Sequence, residues 1–258
     1  IMKKNLKDKF DPFESNQLFS YSTYLNNFIT LYKKGNLPKV LMLSGEKGLG
    51  KFTLAFHLFH FINTERDKEY RYNLDKQIFI NNVSFISSLK SNTCENFYYL
   101  GNNHEVSVSI NDVREIKKKL TNRPLNGFPR IIVFDDADLF NKNSANSLLK
   151  IIEEPTEFNY FILINNQRNY ILDTLKSRSI EFKIFLKKNE KKIILSNLLK
   201  KNNINLSLDE NIIYNLTPGI LLRIHDTLID YKIDLSNDYL SNIEILLDVY
   251  KKNKQYIF

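Results

Sequence analysis

A glycine-rich segment beginning at Gly45 holds the residues with the most specific chemical pattern. Residues 45–53 read Gly-Glu-Lys-Gly-Leu-Gly-Lys-Phe-Thr, so four residues separate Gly45 from Gly50, and Lys51 follows at once. Glycines let successive backbone N–H groups turn toward a phosphate, and a lysine at the start of the next helix reaches the terminal phosphates. The spacing therefore predicts a phosphate-binding loop, in which Gly48 is the third glycine.

The residue after the lysine departs from this motif. An active loop carries Ser or Thr at that position, because the hydroxyl ligates Mg²⁺. Here the residue is Phe52, and a hydroxyl stands one position later, at Thr53. One residue turns a helix by about 100°, so Thr53 is poorly placed to replace the missing ligand, although it could cap the helix or touch an α-phosphate. The loop is compatible with ATP or ADP and Mg²⁺ but not with efficient Mg²⁺-dependent hydrolysis.

Acidic residues follow a second apolar segment. Asp135-Asp136-Ala137-Asp138 comes directly after the apolar run 131–134. In a Walker B segment the first Asp holds Mg²⁺ through water, and the next acidic residue polarises the attacking water. Active ATPases of this kind usually have Glu at that second position, and Asp136 is one methylene shorter, which matters where ångström geometry is needed. An ordinary acidic loop after a strand is the alternative interpretation.

Two further polar positions could contribute to a nucleotide site. Asn165 or Asn166 ends the next apolar run, where a polar side chain would contact a γ-phosphate, although Asn-Asn is also common in turns. Arg178 lies between a short helix and a strand, so it could project from one subunit to a nucleotide on a neighbour. A surface arginine at a helix C-terminus is the alternative for Arg178.

Strands and helices must alternate to position these residues. Apolar runs predict buried strands at 40–43, 131–134 and 161–164 and further strands at 78–80, 97–100 and 180–184. Helical periodicity predicts the intervening helices, at 15–34, 51–62, about 109–120, about 144–152 and 170–176. Beyond residue 185 only helices are expected, at 190–201, 209–215, 219–230 and 239–253. The pattern predicts an α/β P-loop core with a parallel sheet, followed by a small helical domain.

Composition narrows the class of protein. The 258 residues are 43% hydrophobic, enough for one large or two modest domains. They contain no run of about 18 apolar residues, the length that a membrane-spanning helix needs. One cysteine, Cys94, excludes a disulfide framework and a four-cysteine zinc site, so a cytoplasmic protein without zinc is expected. The net charge of +8 permits contact with nucleic acid, although abundant Lys, Asn and Ile could produce it without function.

Together these motifs resemble the clamp-loader subunits of bacteria, which belong to the AAA+ family. The resemblance covers about residues 15–230, and its most specific part is the run Asn-Ser-Leu-Leu-Lys-Ile-Ile-Glu-Glu-Pro at 146–155. The other matching segments are 45–53, Asn122-x-Pro124-x-x-Gly127-x-x-Arg130 with the strand behind it, and Leu175-Lys176-Ser177-Arg178-Ser179. In the last of these, Ser179 replaces the family's Cys.

The resemblance implies an AAA+ core over 1–185, a lid domain over 186–232, and the start of a truncated or missing collar domain over 233–258. Some members of the family have degraded ATP sites but keep the arginine. This chain shows the same pattern, with Phe52 at the degraded position and Arg178 as the retained arginine. Arg178 would then act in trans on ATP held by an adjacent motor subunit. The implied partners are loader subunits of gamma/tau and delta types and, through the complex, the sliding clamp and primed DNA. An ATP-hydrolysing motor subunit is the alternative.

Overall fold

The computed structural model describes residues 11–65, 70–80, 83–91, 93–101, 108–204, 215–233 and 239–253. The chain forms two compact units. We call the first the sheet unit, which consists of Pro12–Glu46 and Gly50–Phe185. The second, the helical unit, consists of Ile1–Asp11, Lys47–Leu49 and Leu186–Phe258.

The sheet unit is built on five parallel strands. They are β1 (Val40–Ser44), β2 (Phe97–Leu100), β3 (Arg130–Phe134), β4 (Asn159–Asn165) and β5 (Ile180–Lys183). Their order across the sheet is β2-β3-β4-β1-β5, and every neighbouring pair is parallel. The central strands are nearly continuous apolar runs because helices cover both faces of the sheet. The predicted α/β fold with a parallel sheet is confirmed.

Six α-helices belong to the sheet unit in its described residues. They are α1 (Ser22–Lys33), α2 (Lys51–Thr64), α3 (Val83–Lys90), α4 (Ile110–Lys119), α5 (Lys142–Ile152) and α6 (Asp173–Lys176). Short polar side chains cap the N-termini of two of these helices. Ser109 and Asp112 form a reciprocal capping box at α4, and the Asn141 side chain accepts a hydrogen bond from the N–H of Ser144 at α5.

The two faces of the sheet bury different side chains. Neighbouring strand residues point to opposite faces, so Phe97 contacts aromatic residues of α2, whereas Tyr98 lies in the cluster formed by α4, α5 and α6. That second cluster also contains Ile152 at the end of α5 and Leu175 in α6. The ends of α5 and α6 are therefore anchored in one core.

The structure corrects several predicted boundaries. The first helix begins at Ser22 instead of residue 15, because Ser20 has a left-handed φ of +60° that breaks the helix. The strand predicted at 78–80 is wrong: Ile78 makes only isolated bridges, next to a turn in which Gln77 has a φ of +52°. Helix α3 was not predicted, and α6 begins at Asp173 rather than at residue 170.

The helical unit contains α7 (Lys188–Lys201), α8 (Pro218–Asp230) and α9 (Tyr239–Asn253) in its described residues. Leucines pack α7 against α8, and Leu246 of α9 packs against α8. Within this unit the Gly219 N–H donates to the Gly48 carbonyl over 2.9 Å. The helix predicted at 209–215 falls mainly outside the described residues, and the division at 232/233 stays a prediction. No helix in the described ranges has the length and apolarity to cross a membrane.

Candidate functional site

The glycine-rich loop joins β1 to α2 and buries Lys51. Gly48 and Gly50 have φ values of +81° and +84°, in the left-handed region that glycine tolerates best. The Lys51 side chain lies back against the loop, and its Nζ donates to the carbonyl oxygens of Gly45 and Glu46, both at 2.7 Å. The loop therefore surrounds an ammonium group with its own backbone, at the start of a helix.

The electrostatic environment of Lys51 links the loop to the acidic segment. Burial lowers the pKa of Lys51 from 10.5 to about 8. The negative charges of Asp135, Asp138 and Asp136 oppose this effect, and the positive charge of Arg168 adds to it. The fold therefore brings the loop lysine close to the acidic residues that follow β3.

Phe52 faces the core rather than the loop. Its ring is buried and packs edge-on against Phe13 and Tyr99, with centroid distances of 4.8 and 5.0 Å, and it stacks on Phe56 at 5.7 Å. We call these four rings the aromatic cluster. The side chain after the loop lysine therefore supplies apolar contact and no oxygen ligand. Thr53, the next residue of α2, is half-buried.

Asp135 lies where the aromatic cluster meets the acidic segment. The Tyr99 hydroxyl donates to Asp135 Oδ2 over 3.2 Å, and the Asp136 N–H donates to Asp135 Oδ1 over 2.8 Å. Burial and the charge of Asp136 raise the pKa of Asp135 above its ordinary value. A packed aromatic ring thus holds the first residue of the acidic segment.

The Asp136 carboxylate binds two side chains of the loop after β4. It forms an ion pair with Arg168 and accepts a hydrogen bond from Asn166 Nδ2 at 2.5 Å. The residue itself has a left-handed φ of +53°. A guanidinium and an amide therefore engage the carboxylate that would polarise an attacking water. Arg168 was not predicted from the sequence, because it lies in a loop far along the chain from Asp136 and belongs to no motif.

Asp138 holds this loop in place. Its buried carboxylate accepts hydrogen bonds from the backbone N–H groups of Asn166 (3.1 Å), Arg168 (2.9 Å) and Asn169 (3.4 Å). Backbone donors satisfy such a carboxylate well. The third acid of the segment thereby fixes the position from which Arg168 reaches Asp136.

The two asparagines at the end of β4 have different contacts. Asn165 Nδ2 donates to Ser44 Oγ over 3.3 Å, and its Oδ1 accepts from the N–H of Gln167. Asn166 instead reaches the acidic side chains. The sequence left the choice between the two open, and the structure places Asn165 against β1 and Asn166 against Asp136.

Arg178 lies at the opposite end of the sheet from the loop. Leu41 pairs with Ile180 and Ser44 with Lys183, so Arg178 precedes the amino end of β5 while the loop follows the carboxyl end of β1. The strand rise of about 3.3 Å per residue makes this separation roughly 15–20 Å along the strands. The structure does not bring Arg178 to its own phosphate-binding loop.

The residues of the site fit a phosphate group better than a divalent metal. A buried ammonium and left-handed glycines suit an anion. Phe52 supplies no oxygen, and the Asp136 carboxylate is already paired with Arg168. Within the described ranges, no three His, Cys, Asp or Glu side chains are grouped as metal ligands.

Comparison with known proteins places the chain in a family. The family model described as "DNA polymerase III, delta subunit" matches residues 21–188. The gamma/tau subunit of DNA polymerase III from Mycoplasma genitalium is 25% identical over 257 residues, which is 97% of this chain and 41% of that protein. The delta' subunit from Buchnera aphidicola subsp. Schizaphis graminum is 25% identical over 180 residues, 66% of this chain and 53% of that protein.

A second delta' subunit, from Buchnera aphidicola subsp. Baizongia pistaciae, is 35% identical over 115 residues, 45% of this chain and 32% of that protein. The chain thus spans about half or less of the length of these relatives. The family match, by contrast, extends over more than half of the chain and includes the loop, the acidic segment and Arg178. The chain therefore belongs to the DNA polymerase III delta subunit family, which confirms its resemblance to clamp-loader subunits.

Proposed function

We propose that the chain is a delta-prime-type subunit of a DNA polymerase III clamp loader, with little or no ATPase activity of its own. It works in the cytoplasm with subunits of gamma/tau and delta types, and the complex assembles the sliding clamp on primed DNA. The family match and the two delta' relatives support this assignment. The contacts of the phosphate-binding loop and of Arg178 support the division of labour within it.

The burial of Phe52 in the aromatic cluster is the observation that carries the proposal. Phe52 has no oxygen with which to ligate Mg²⁺, and its ring is packed in the core at 4.8–5.7 Å from three other rings. The ion pair with Arg168 occupies Asp136 in addition. The loop can hold the phosphates of ATP or ADP through Lys51 and backbone N–H groups, whereas the residues needed for hydrolysis are missing or engaged.

Arg178 supplies the chemistry that remains. A guanidinium that reaches a neighbour's γ-phosphate stabilises the negative charge that develops on the phosphoryl oxygens during transfer. Arg178 is more than one third exposed, and it lies at the end of the sheet remote from its own loop. Both observations support action on a nucleotide of another subunit.

ATP hydrolysis by a reconstituted loader tests the proposal. We expect Arg178→Ala to lower its ATPase rate by a factor of 10 or more, because one charge-stabilising donor is lost. Lys51→Ala should leave most of the ATPase rate intact, and the purified chain alone should hydrolyse ATP at the background rate. An unchanged rate with Arg178→Ala would refute the trans role. Turnover by the isolated chain that Lys51→Ala abolishes would refute the absence of ATPase.

A gamma/tau-type motor subunit is the second candidate. It is favoured by the relative from Mycoplasma genitalium, whose similarity covers nearly the whole chain. The retention of Lys51 and Asp135 agrees with it as well. A motor subunit must hydrolyse its own ATP, so the Lys51→Ala comparison separates the two candidates.

A further inference from the structure

The arginine proposed to act in trans is held by an acid of its own chain. Arg178 Nη2 lies 2.8 Å from Glu153 Oε1, and Arg178 Nη1 donates to the carbonyl oxygen of Thr174 over 3.2 Å. Glu153 directly follows α5 as its C-cap and Thr174 belongs to α6, so groups from two different elements contact one guanidinium.

The position of Glu153 is unfavourable for its own helix. It is the C-cap residue of α5, where the helix dipole favours a cation and disfavours a carboxylate. The Arg178 guanidinium offsets this, because it puts a positive charge at the same helix end. The acid at this position is therefore explained by its contact with Arg178 rather than by the stability of α5.

The residues next to the pair are buried, whereas the pair itself is accessible. One core cluster buries both Ile152 and Leu175. Ile152 precedes Glu153 in the chain, and Leu175 follows Thr174. The two helix ends are thus fixed relative to each other. The side chains of Arg178 and Glu153 are 37% and 46% exposed, so an approaching phosphate can reach the guanidinium.

We propose that Glu153 is a positioning residue for Arg178, an inference that rests on the proposed trans role. A long arginine side chain loses rotamer freedom when it is immobilised, and part of that loss has already occurred when an ion pair holds it in place. A guanidinium has five N–H donors, so it can keep its bonds to Glu153 and Thr174 while other donors meet phosphate oxygens. Glu153 thereby presents Arg178 in one orientation to the neighbouring nucleotide.

The test compares Glu153→Ala with Glu154→Ala in the reconstituted loader. We expect Glu153→Ala to lower kcat for ATP hydrolysis two- to fivefold with KM for ATP unchanged, because a half-exposed ion pair contributes little more than this factor. Glu154→Ala removes an equal charge from the next residue and should leave kcat unchanged. Both variants should have the unfolding midpoint of the unsubstituted chain, which excludes a general loss of structure.

A double-variant cycle separates positioning from a structural role. In the Arg178→Ala background, Glu153→Ala should cause no further loss of kcat. Equal kcat for Glu153→Ala and Glu154→Ala, beside a large loss with Arg178→Ala, would overturn the positioning role and leave the trans arginine intact. A further loss in the Arg178→Ala background would overturn it too. No loss with Arg178→Ala itself would overturn the proposed function.

Discussion

The surroundings of Lys51 determine the pH range in which the loop carries a positive charge. Its ammonium donates to two loop carbonyls and is nearly enclosed, yet three carboxylates lie near enough to influence its charge. Burial prevails, and the pKa falls to about 8. The charge that would bind phosphate is therefore lost within an experimentally convenient pH range.

The affinity of the loop for ADP should fall as pH rises above 8. Only the protonated form of Lys51 attracts phosphate, so the dissociation constant should increase by about tenfold per pH unit once pH exceeds the pKa. Calorimetric titration with ADP in the absence of Mg²⁺, between pH 7.5 and 9.5, measures this change. Lys51→Arg stays charged throughout and provides the control, since its affinity should be flat. The same flat profile for the unsubstituted chain would contradict the prediction.

Residue identities could be predicted at this site more readily than residue contacts. Lys51, Asp135 and Asp136 were found because they stand at fixed spacings beside apolar runs. The ion pair between Arg168 and Asp136 could not be found in that way. It joins loops after two different strands, and no local pattern encodes a contact that depends on the order of strands in the sheet.

At the scale of elements, α2 serves the core and the loop at once. Its first residue is Lys51, and its second, Phe52, begins a buried stripe that continues through Phe56 and Phe59. Phe13, on the short 3-10 helix Pro12–Glu14, completes the packing around Phe52. The residue that a nucleotide-hydrolysing loop would need as a metal ligand has become part of the hydrophobic core.

Phe52→Ser should therefore destabilise the fold even though it restores the hydroxyl of the motif. Replacing a buried Phe by a small residue leaves a cavity, and we expect the free energy of unfolding to fall by about 3–5 kcal/mol. Phe185→Ser changes a ring that is 68% exposed and should alter that free energy by less than about 0.5 kcal/mol. Urea unfolding of the two variants measures the difference. Similar values for both would show that the aromatic cluster does not stabilise the chain.

The elements themselves were predictable where their pattern was continuous. β1, β3 and β4 are nearly continuous apolar runs because both faces of the sheet are covered, and all three were identified. The apolar triplet at 78–80 was mistaken for a strand. Its pairing partners are isolated residues rather than a neighbouring strand, and three residues are too few to distinguish the two cases.

At the scale of the whole molecule, a buried histidine links stability to pH. The His60 ring stacks on Phe79 with a centroid distance of 3.7 Å, and its Nε2 has no hydrogen-bond partner among the described residues. Burial and the charge of His57 hold the pKa of His60 well below 6.5. His60 is therefore neutral in the folded chain and gains a proton when the chain unfolds at mildly acidic pH.

The free energy of unfolding should decrease as pH falls below about 6.5. The unfolded chain then binds more protons than the folded one, and a single such group lowers that free energy by up to about 1.4 kcal/mol per pH unit until the folded pKa is reached. Denaturant unfolding between pH 8 and pH 5 follows the effect. His60→Phe removes the titrating group and should flatten the profile, and an equally steep decline in that variant would assign the effect to other residues.

The parallel pairing of β1 with β5 also determines which ends of the two strands carry the loop and Arg178. The phosphate-binding loop follows the carboxyl end of β1, whereas Arg178 precedes the amino end of β5, so under the proposed function two different surfaces of the chain meet its neighbours, and such contacts repeat from head to tail. Each subunit then gives an arginine on one side and receives one on the other. Under the proposed function this chain donates Arg178 to a neighbour's nucleotide, but it does not hydrolyse the nucleotide at its own loop. A ring that contains one copy then hydrolyses at least one ATP fewer per cycle than it has subunits.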